Sequence, residues 1–203
     1  RFRAALSSGD AATAAELATP QFLALPGLLV DQAKGRSLKA VETLLDLGLK
    51  VDVQNAAGVT ALHQAAWNGD LALIDFLLTR GARTNLRDTQ FHCTAVSWAL
   101  ESGQAEAADR ILDRSDDVFD LVGAARLSQL EALFSSSPDL ATTLGHAGNS
   151  PLHALRLVNE QTASVIALLR RCGANPGLPN DAGLTPGQAA EANHRWELED
   201  LLT

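Results

Sequence analysis

The sequence predicts an all-α repeat protein, a solenoid in which pairs of short helices stack on one another and are joined by short hairpin fingers. The segment 60–81, TALHQAAWNGDLALIDFLLTRG, contains two short helical patterns of apolar residues, and a glycine follows each of them. Similar segments recur at intervals of about 33 residues along the chain of 203 residues. Because neither short helix could bury its apolar face alone, each unit has to stack on units of the same kind.

The two helices of segment 60–81 have clear start and stop signals. Thr60 is predicted to cap the first helix, because its hydroxyl can accept a hydrogen bond from an N–H group of the first turn. Gly69 is predicted to end this helix in the left-handed region, which glycine enters without a Cβ penalty. Gly81 is expected to end the second helix in the same way.

Seven units, some of them degenerate, are predicted to fill the chain as a single array. We place them near residues 1–25, 26–58, 59–92, 93–117, 118–148, 149–183 and 184–203. In the fifth unit, the alanines at 124 and 125 are matched to the alanine pair of the first helix, which leaves Ser128 where a glycine is expected. No finger precedes Val118, so we expect the stacking to be interrupted near residues 113–120.

Extended fingers with tight turns are predicted between successive helix pairs. Residues 49–59, LKVDVQNAAGV, combine a short alternation with a turn at Gly58. The next finger, ARTNLRDTQFHC at residues 82–93, is one residue longer.

Composition excludes several classes of function. The net charge of −8 argues against a general nucleic-acid binder, because affinity for phosphate backbones depends on Lys and Arg. No apolar run approaches the roughly 20 residues that span a membrane, and no signal peptide is visible. Two cysteines, Cys93 and Cys172, are too few for a disulfide framework, so a reducing, cytoplasmic location is expected.

Three motifs carry a resemblance to a known family. TALHQAAWNGD at 60–70, SPLHAL at 150–155 and TPGQAA at 185–190 resemble ankyrin repeats, whose period is about 33 residues. The resemblance covers essentially the whole chain, is most specific at 60–81, and is weakest in the first and fifth units. It implies a curved array of helix pairs with β-hairpin fingers along one edge, and a role in binding proteins rather than in catalysis.

No catalytic residue, cofactor site or metal site is predicted. The resemblance implies that His63 and His153 bond to the backbone of a neighbouring finger, which is a structural role. His92 and Cys93 are adjacent, but a zinc site needs about four ligands and no second pair lies near them in sequence. Neither a phosphate-binding loop nor a nucleophile elbow is present.

A cluster of acidic residues has two alternative interpretations. It comprises Asp109, Asp113, Asp116, Asp117 and Asp120. It is either a solvated face or a docking patch for a basic partner, which would be steered to it electrostatically.

The predicted partner site is centred on Trp67, at the position two residues before Gly69 that faces the concave groove in ankyrin arrays. Aligning the units places one row along this groove: Ser7, Lys34, Trp67, Glu101, Arg126, Leu157 and Ala192. Trp98 is predicted to be half-buried, and Trp196 is predicted to pack in the core or against the cap. The predicted partner-binding residues are Trp67, Asn68, Arg87, Gln90, Phe91, His92, Trp98, Glu101 and Arg126.

The leading hypothesis is a non-catalytic module that binds a protein partner through its concave groove and hairpin fingers. The alternative is a regulatory or scaffolding ankyrin domain of a larger enzyme. A third hypothesis, hydrolysis by His92, Cys93 or His146, has no motif to support it. We expect no nucleic acid and no membrane among the partners, and a monomer, with a homodimer left open.

Overall fold

The computed structural model describes residues 1–25, 27–156 and 158–202, and every regular element in these residues is a helix. The predicted all-α fold is therefore confirmed. No strand occurs in the described ranges, so the fingers are turns rather than pairs of regular β-strands. Two positions of the sequence-based alignment, the unit boundary at Pro26 and the groove position Leu157, lie outside the described residues.

The chain forms two compact units, Arg1–Ser115 and the residues from Asp116 onward. The division falls within 113–120, where the sequence lacks a finger. The placement of seven repeats in a single array over the whole chain stays a prediction.

The first unit contains nine α-helices within its described residues. They are α1 (Phe2–Ser8), α2 (Ala11–Leu17), α3 (Pro20–Leu23), α4 (Leu28–Lys34), α5 (Leu38–Asp46), α6 (Ala61–Asn68), α7 (Leu71–Thr79), α8 (Ala95–Glu101) and α9 (Ala105–Leu112). Helix α6 packs between α4 and α8 and against its own partner, α7. This layer is closed by fully buried leucine and isoleucine side chains, each of which stabilises the fold by about 1.5–3 kcal/mol.

The second unit contains five α-helices and three 3₁₀-helices within its described residues. The α-helices are α10 (Val118–Gly123), α11 (Leu127–Ser136), α12 (Thr162–Arg171), α13 (Pro186–Ala192) and α14 (Trp196–Leu202). The 3₁₀-helices are Pro138–Thr142, His146–Gly148 and Pro151–Ala154. The motif at 150–155 therefore forms only a short 3₁₀ turn, although Pro151 occupies its first helical position as predicted. Across both units, no described helix has the length and apolar content needed to cross a membrane.

Local signals define the helix pair α6–α7. The Thr60 hydroxyl accepts from the His63 N–H at 3.4 Å, as the capping prediction requires. Gly69 has φ 65° and ψ 28°, which confirms the left-handed end of α6, and Gly81 has φ 82°. Asp70 caps α7 by accepting from the Leu73 N–H at 3.1 Å. The boundaries of both helices therefore depend on side chains and glycines inside the same short segment.

The fingers are tight turns that bond to one another. In the finger that contains Gly58, the Asn55 N–H donates to the Val59 carbonyl at 3.0 Å. The Thr89 N–H of the next finger donates to the Ala57 carbonyl at 2.9 Å. This close approach brings the Thr89 backbone against Gly58, where a Cβ atom would lie 2.9 Å from the Thr89 nitrogen.

The alignment of the fifth unit is wrong by three residues. Ala125 takes the left-handed conformation that ends α10, with φ 51°, and so occupies the position assigned to Ser128. The Arg126 N–H donates to the Leu121 carbonyl at 2.9 Å, just as the Asp70 N–H donates to the Ala65 carbonyl. Leu121 and Val122, rather than the two alanines, fill the buried positions that Ala65 and Ala66 fill in α6.

Candidate functional site

An open cavity of about 770 Å³ lies on the first unit, where three successive repeats meet. Its lining residues are Lys34, Gln64, Trp67, Asn68, Phe91, Cys93, Trp98 and Glu101. We call this surface the Trp67 site. Helices α4, α6 and α8 contribute their side chains from stacked positions, and the finger before α8 contributes Phe91 and Cys93. The volume is in the range of small-molecule and peptide-side-chain pockets.

Two tryptophans line the Trp67 site and contact each other. Trp67 is 48% exposed although it lies on a helix whose other face is buried. Trp98 is half-buried, as predicted, and its ring meets that of Trp67 in a T-shaped pair with centroids 5.8 Å apart and an interplanar angle of 74°. Edge-to-face packing is a favoured arrangement of aromatic rings, so the pair fixes both indoles.

Phe91 is the most exposed large apolar side chain at the site, with 65% of its surface accessible. It lies at the turn of the longer finger, next to His92, which adopts φ 52°. Positive φ is uncommon for residues other than glycine and is tolerated where the surroundings determine it. Such a turn needs an internal support.

Asp88 is that support. The residue is only 2% exposed, and its carboxylate accepts three backbone N–H groups, from Gln90 at 2.9 Å, Phe91 at 2.6 Å and Cys93 at 3.1 Å. A fourth bond comes from the indole Nε1–H of Trp98 at 3.0 Å. One carboxylate thus joins the finger that carries Phe91 to the helix that carries Trp98.

The electrostatics of Asp88 follow from these contacts. Burial raises the pKa of the Asp88 carboxyl, but the hydrogen bonds from Phe91, Trp98, Cys93 and Gln90 together outweigh it. The pKa of Asp88 therefore lies below its ordinary value of 3.8, and the carboxylate is ionised at neutral pH.

Sequence reasoning did not single out Asp88, although a signal was present. Two other fingers carry asparagine at the start of their turns. Asn55 Oδ1 accepts from the Ala57 and Val59 N–H groups, at 2.9 and 3.1 Å. Asn180 makes the same pair of bonds in the second unit. The signal is the exchange of asparagine for aspartate in the longer finger, which precedes the helix that carries Trp98.

His63 has the predicted structural role. Its Nδ1 accepts from the Thr60 N–H at 3.2 Å, and its Nε2 lies 3.1 Å from the Cys93 carbonyl of the neighbouring finger. Nε2 therefore carries the proton and donates it to that carbonyl. Burial lowers the pKa of His63 below its ordinary value of 6.5, against the opposing effects of the Cys93 carbonyl and the Asp88 charge.

His153 repeats this arrangement in the second unit. Its Nδ1 accepts from the Ser150 N–H at 3.1 Å, and its Nε2 lies 3.0 Å from the Leu184 carbonyl. The expectation that both histidines bond to finger backbone is confirmed.

The structure brings five of the nine predicted partner-binding residues together at the Trp67 site. They are Trp67, Asn68, Phe91, Trp98 and Glu101. Asn68 contributes differently from the others, because its amide donates to the carbonyls of Ala33 and Lys34 at 3.3 and 3.2 Å. It joins α6 to α4 rather than presenting free donors. Lys34, Gln64 and Cys93 also line the cavity and were absent from the predicted set.

Three further predicted residues lie on the same finger but do not line the cavity. Gln90 and His92 are exposed, and Arg87 is half-buried with its guanidinium donating to the His92 carbonyl at 3.2 Å. Arg87 therefore helps to hold the turn, and its role in binding stays a prediction.

Two sequence-based placements are corrected. Arg126 belongs to the second unit and precedes α11 at the position that Asp70 occupies before α7, so it is not in the row of Trp67. The three-residue error in the fifth unit caused this misplacement. Trp196 is 55% exposed rather than packed in the core, and its ring lies near that of His194.

The remaining candidate residues are the adjacent His92 and Cys93, His146 and the acidic cluster. Within the described ranges, no group of three or more His, Cys, Asp and Glu side chains could hold a metal ion. His92 and Cys93 belong to the first unit and His146 to the second. In the acidic cluster, Asp117 caps α10 by accepting from the Phe119 and Asp120 N–H groups, each at 3.0 Å. The role of the acidic cluster as a docking patch for a basic partner stays a prediction.

Comparison with known proteins agrees with this architecture. A family model described as ankyrin repeats in many copies matches residues 29–78, a segment that spans nearly all of α4 to α7. Residues 29–78 therefore belong to the ankyrin-repeat family. Arrays of this family are generally protein–protein interaction modules and are typically not catalytic.

Relatives and solved structures extend the likeness to most of the chain. SH3 and multiple ankyrin repeat domains protein 2 of Homo sapiens is 25% identical over 177 residues, which cover 82% of this chain but only 9% of that protein. The crystal structure of EF0377, an ankyrin repeat protein, matches with a TM-score of 0.52 at 21% identity. The match covers 88% of this chain and 97% of the EF0377 chain.

A third likeness is to a chain in the structure of the predatory endopeptidase Bd0816 of Bdellovibrio bacteriovorus in complex with immunity protein Bd3460. Its TM-score is 0.51 at 20% identity, with 86% of this chain and 96% of that chain covered. At this level of identity, both structural likenesses establish the fold alone.

Proposed function

We propose that this chain is a non-catalytic module that binds a protein partner at the Trp67 site. The observation that carries the proposal is the half-exposed Trp67 in the lining of an open cavity. Tryptophan is enriched among the residues that dominate binding energy at protein interfaces. Large apolar side chains grouped at one exposed place mark interaction surfaces more often than single exposed residues do.

Stacking of the repeats gives no reason for an aromatic residue at position 67. The corresponding positions are Lys34 on α4, Glu101 on α8 and Ala192 on α13. Helices with charged or small residues there are followed, like α6, by a residue in the left-handed conformation two positions later: Arg36, Gly103 and His194. A requirement outside the fold, such as contact with a partner, would account for Trp67.

The site is also held in place before a partner arrives. Trp98 bonds to Asp88, and the same carboxylate holds the turn that carries Phe91. Trp67 packs against Trp98. Side chains that are already fixed lose little conformational entropy on binding, so more of the contact energy contributes to affinity.

Site-specific crosslinking would identify the partner and test the site together. We expect the chain with p-benzoylphenylalanine in place of Trp67 to crosslink to one protein in cells. The same group in place of Trp196, which is exposed on the second unit, is the matched control and should not crosslink to that protein.

Binding by variants then measures the contribution of the site. Trp67→Ala should weaken binding of the identified partner by more than about 1 kcal/mol, the scale of interface anchors, with little change in Tm. Phe91→Ala should do the same without touching the tryptophan pair, and Trp196→Ala should bind as the wild type does. Wild-type affinity in both site variants, or a loss of binding that merely follows a large fall in Tm, contradicts the proposal.

The alternative, a regulatory or scaffolding domain of a larger enzyme, stays a prediction, because the comparisons give no evidence for a larger enzyme. The match to the human relative occupies only 9% of that protein. The reading frame that encodes this chain tests the alternative, since it requires a catalytic domain in the same polypeptide.

A further inference from the structure

We infer that the partner segment recognised at the Trp67 site presents an arginine or lysine side chain to the aromatic pair and to the carboxylate of Glu101. This inference rests on the proposed function and specifies the chemistry of the partner. Its support comes from the geometry of the pair, the charge behind it, and the charges at the two sides of the cavity.

The aromatic pair offers ring faces to a cation. In a T-shaped pair, the edge of one ring meets one face of the other ring. Both faces of the first ring and one face of the second ring therefore remain outside the contact between the two rings. Trp67 and Trp98 have this arrangement, at 5.8 Å and 74°, and Trp67 is half-exposed to solvent. Indole faces carry negative electrostatic potential and attract ammonium and guanidinium groups more strongly than other aromatic side chains do.

Asp88 strengthens this potential. Its carboxylate accepts the Trp98 Nε1–H at 3.0 Å and is buried beside the ring. A hydrogen bond to an anionic acceptor polarises the donor group, which shifts electron density toward the indole ring. The ring faces of the site therefore have a fixed negative charge behind them.

Glu101 supplies the second half of a cation site. It is exposed at the end of α8 and lines the cavity beside Trp98. Elsewhere on the first unit, Asp46, Asp52 and Asp75 each pair with an arginine of the same chain, at 2.7, 3.0 and 2.6 Å. In the described part of the chain, Glu101 forms no such ion pair. It is a carboxylate at the mouth of an aromatic cavity that is available to a partner's cation.

Lys34 gives the site a direction. It lines the same cavity from α4, and α6 with Trp67 lies between α4 and α8. A basic side chain of the partner would be repelled at the α4 side and attracted at the α8 side. The whole chain carries a net charge of −8, which also favours encounter with basic segments.

Selection from a random peptide library provides the probe. The library is displayed on phage, selected on the immobilised full chain, and depleted on the Trp67→Ala variant so that only site-dependent peptides remain. We expect the selected peptides to share an arginine or lysine next to an apolar residue. Synthetic peptides in which citrulline replaces that arginine keep the shape of the side chain and lose its charge, so they should bind about 10-fold more weakly.

Charge variants of the protein complete the test. Glu101→Gln should weaken the arginine peptides about as much as the citrulline change does, and combining the two changes should give little further loss. Lys34→Gln, which removes a charge from the opposite wall, is the matched control and should leave their affinity unchanged or raise it.

The outcomes separate this inference from the function on which it rests. Trp67-dependent peptides without a shared basic residue, or arginine peptides indifferent to Glu101→Gln, overturn the inference and leave the binding function intact. A library that yields no Trp67-dependent peptide counts against both.

Discussion

Asp88 is the residue on which most of the Trp67 site depends. It differs from Asn55 and Asn180, its counterparts in other fingers, by a second carboxylate oxygen. That oxygen accepts the Cys93 N–H and the Trp98 Nε1–H, whereas the first oxygen accepts the Gln90 and Phe91 N–H groups. The shorter finger is held by the single oxygen of Asn55, whereas the longer finger and its bond to Trp98 use both carboxylate oxygens of Asp88.

Asp88→Asn should therefore release Trp98 while keeping part of the turn. Its amide group would direct N–H donors at the Trp98 indole N–H and the Cys93 N–H, which leaves buried donors without an acceptor. The expected loss is about 1–3 kcal/mol in the free energy of unfolding, measured by urea denaturation. Faster solvent exchange of the Trp98 Nε1 proton in NMR spectra is expected with it.

Asn55→Asp is the control for Asp88→Asn. This variant exchanges asparagine for aspartate in the finger where Asn55 Oδ1 accepts the N–H groups of Ala57 and Val59. We expect it to leave the Trp98 Nε1 proton unaffected. Unchanged exchange of that proton in Asp88→Asn would contradict the assigned role of the carboxylate.

His63 makes the stability of the first unit depend on pH. Burial lowers its pKa in the folded chain below 6.5, so in the acidic range the unfolded chain binds a proton that the folded chain does not. The stability from neutral His63 is fully present above pH 6.5 and is lost as the pH falls below that value. Asp88, whose pKa is below 3.8, stays ionised over this range.

Urea denaturation between about pH 7.5 and pH 5 measures this effect. We expect the free energy of unfolding to fall with pH in the wild type, and to fall less steeply in His63→Gln. His92→Gln, which changes an exposed histidine of the adjacent finger, should keep the wild-type slope. Equal slopes in all three proteins would show that His63 is not the group responsible.

At the scale of elements, the contact between fingers determines how the repeats stack. Gly58 and Gly81 both have positive φ, at 72° and 82°, so alanine costs about 1–2 kcal/mol in backbone strain at either position. A Cβ at Gly58 would also lie 2.9 Å from the Thr89 nitrogen, whereas a Cβ at Gly81 meets nothing within 4 Å. Gly58→Ala should therefore destabilise the chain by more than Gly81→Ala, as measured by urea denaturation. Equal losses would mean that the finger backbone is free to move away.

The sequence predicts the elements well where their signals are local. Thr60, Gly69 and Gly81 mark the helix pair α6–α7 correctly, because caps and left-handed turns involve neighbours in the chain. The fifth unit was misaligned because Ala125 adopts a conformation that glycine usually takes, and composition alone does not reveal this strain. The bond between Asp88 and Trp98 joins a finger to the next helix, so it depends on a three-dimensional arrangement that the repeat pattern does not specify.

At the scale of the whole molecule, the division into two compact units bears on cooperativity. In a repeat protein, stability is approximately a sum of terms from each repeat and from its nearest neighbours. The boundary at 115–116 coincides with the missing finger, and fingers supply bonds between adjacent repeats such as that from Thr89 to Ala57. Where no finger is present, we expect weaker energetic coupling along the chain.

Two equivalent glycines allow this coupling to be measured from both sides. Gly148 has φ 69° and meets Asp181 of the next finger, whose N–H donates to the Ala147 carbonyl at 3.0 Å, as Thr89 does beside Gly58. In native-state hydrogen exchange, Gly58→Ala should lower the protection of α6 and α7 much more than that of α12. Gly148→Ala should lower the protection of α12 and leave α6 and α7 near their wild-type values.

The reciprocal pattern is what distinguishes two cooperative units from one. If the helices behaved as a single cooperative array, either substitution would lower the protection of the most stable amides throughout the chain by the same free energy. Unequal, position-dependent losses place a cooperative boundary between the Trp67 site and the second unit. Binding of a partner at that site would then stabilise the first unit by mass action and leave exchange from α12 unchanged.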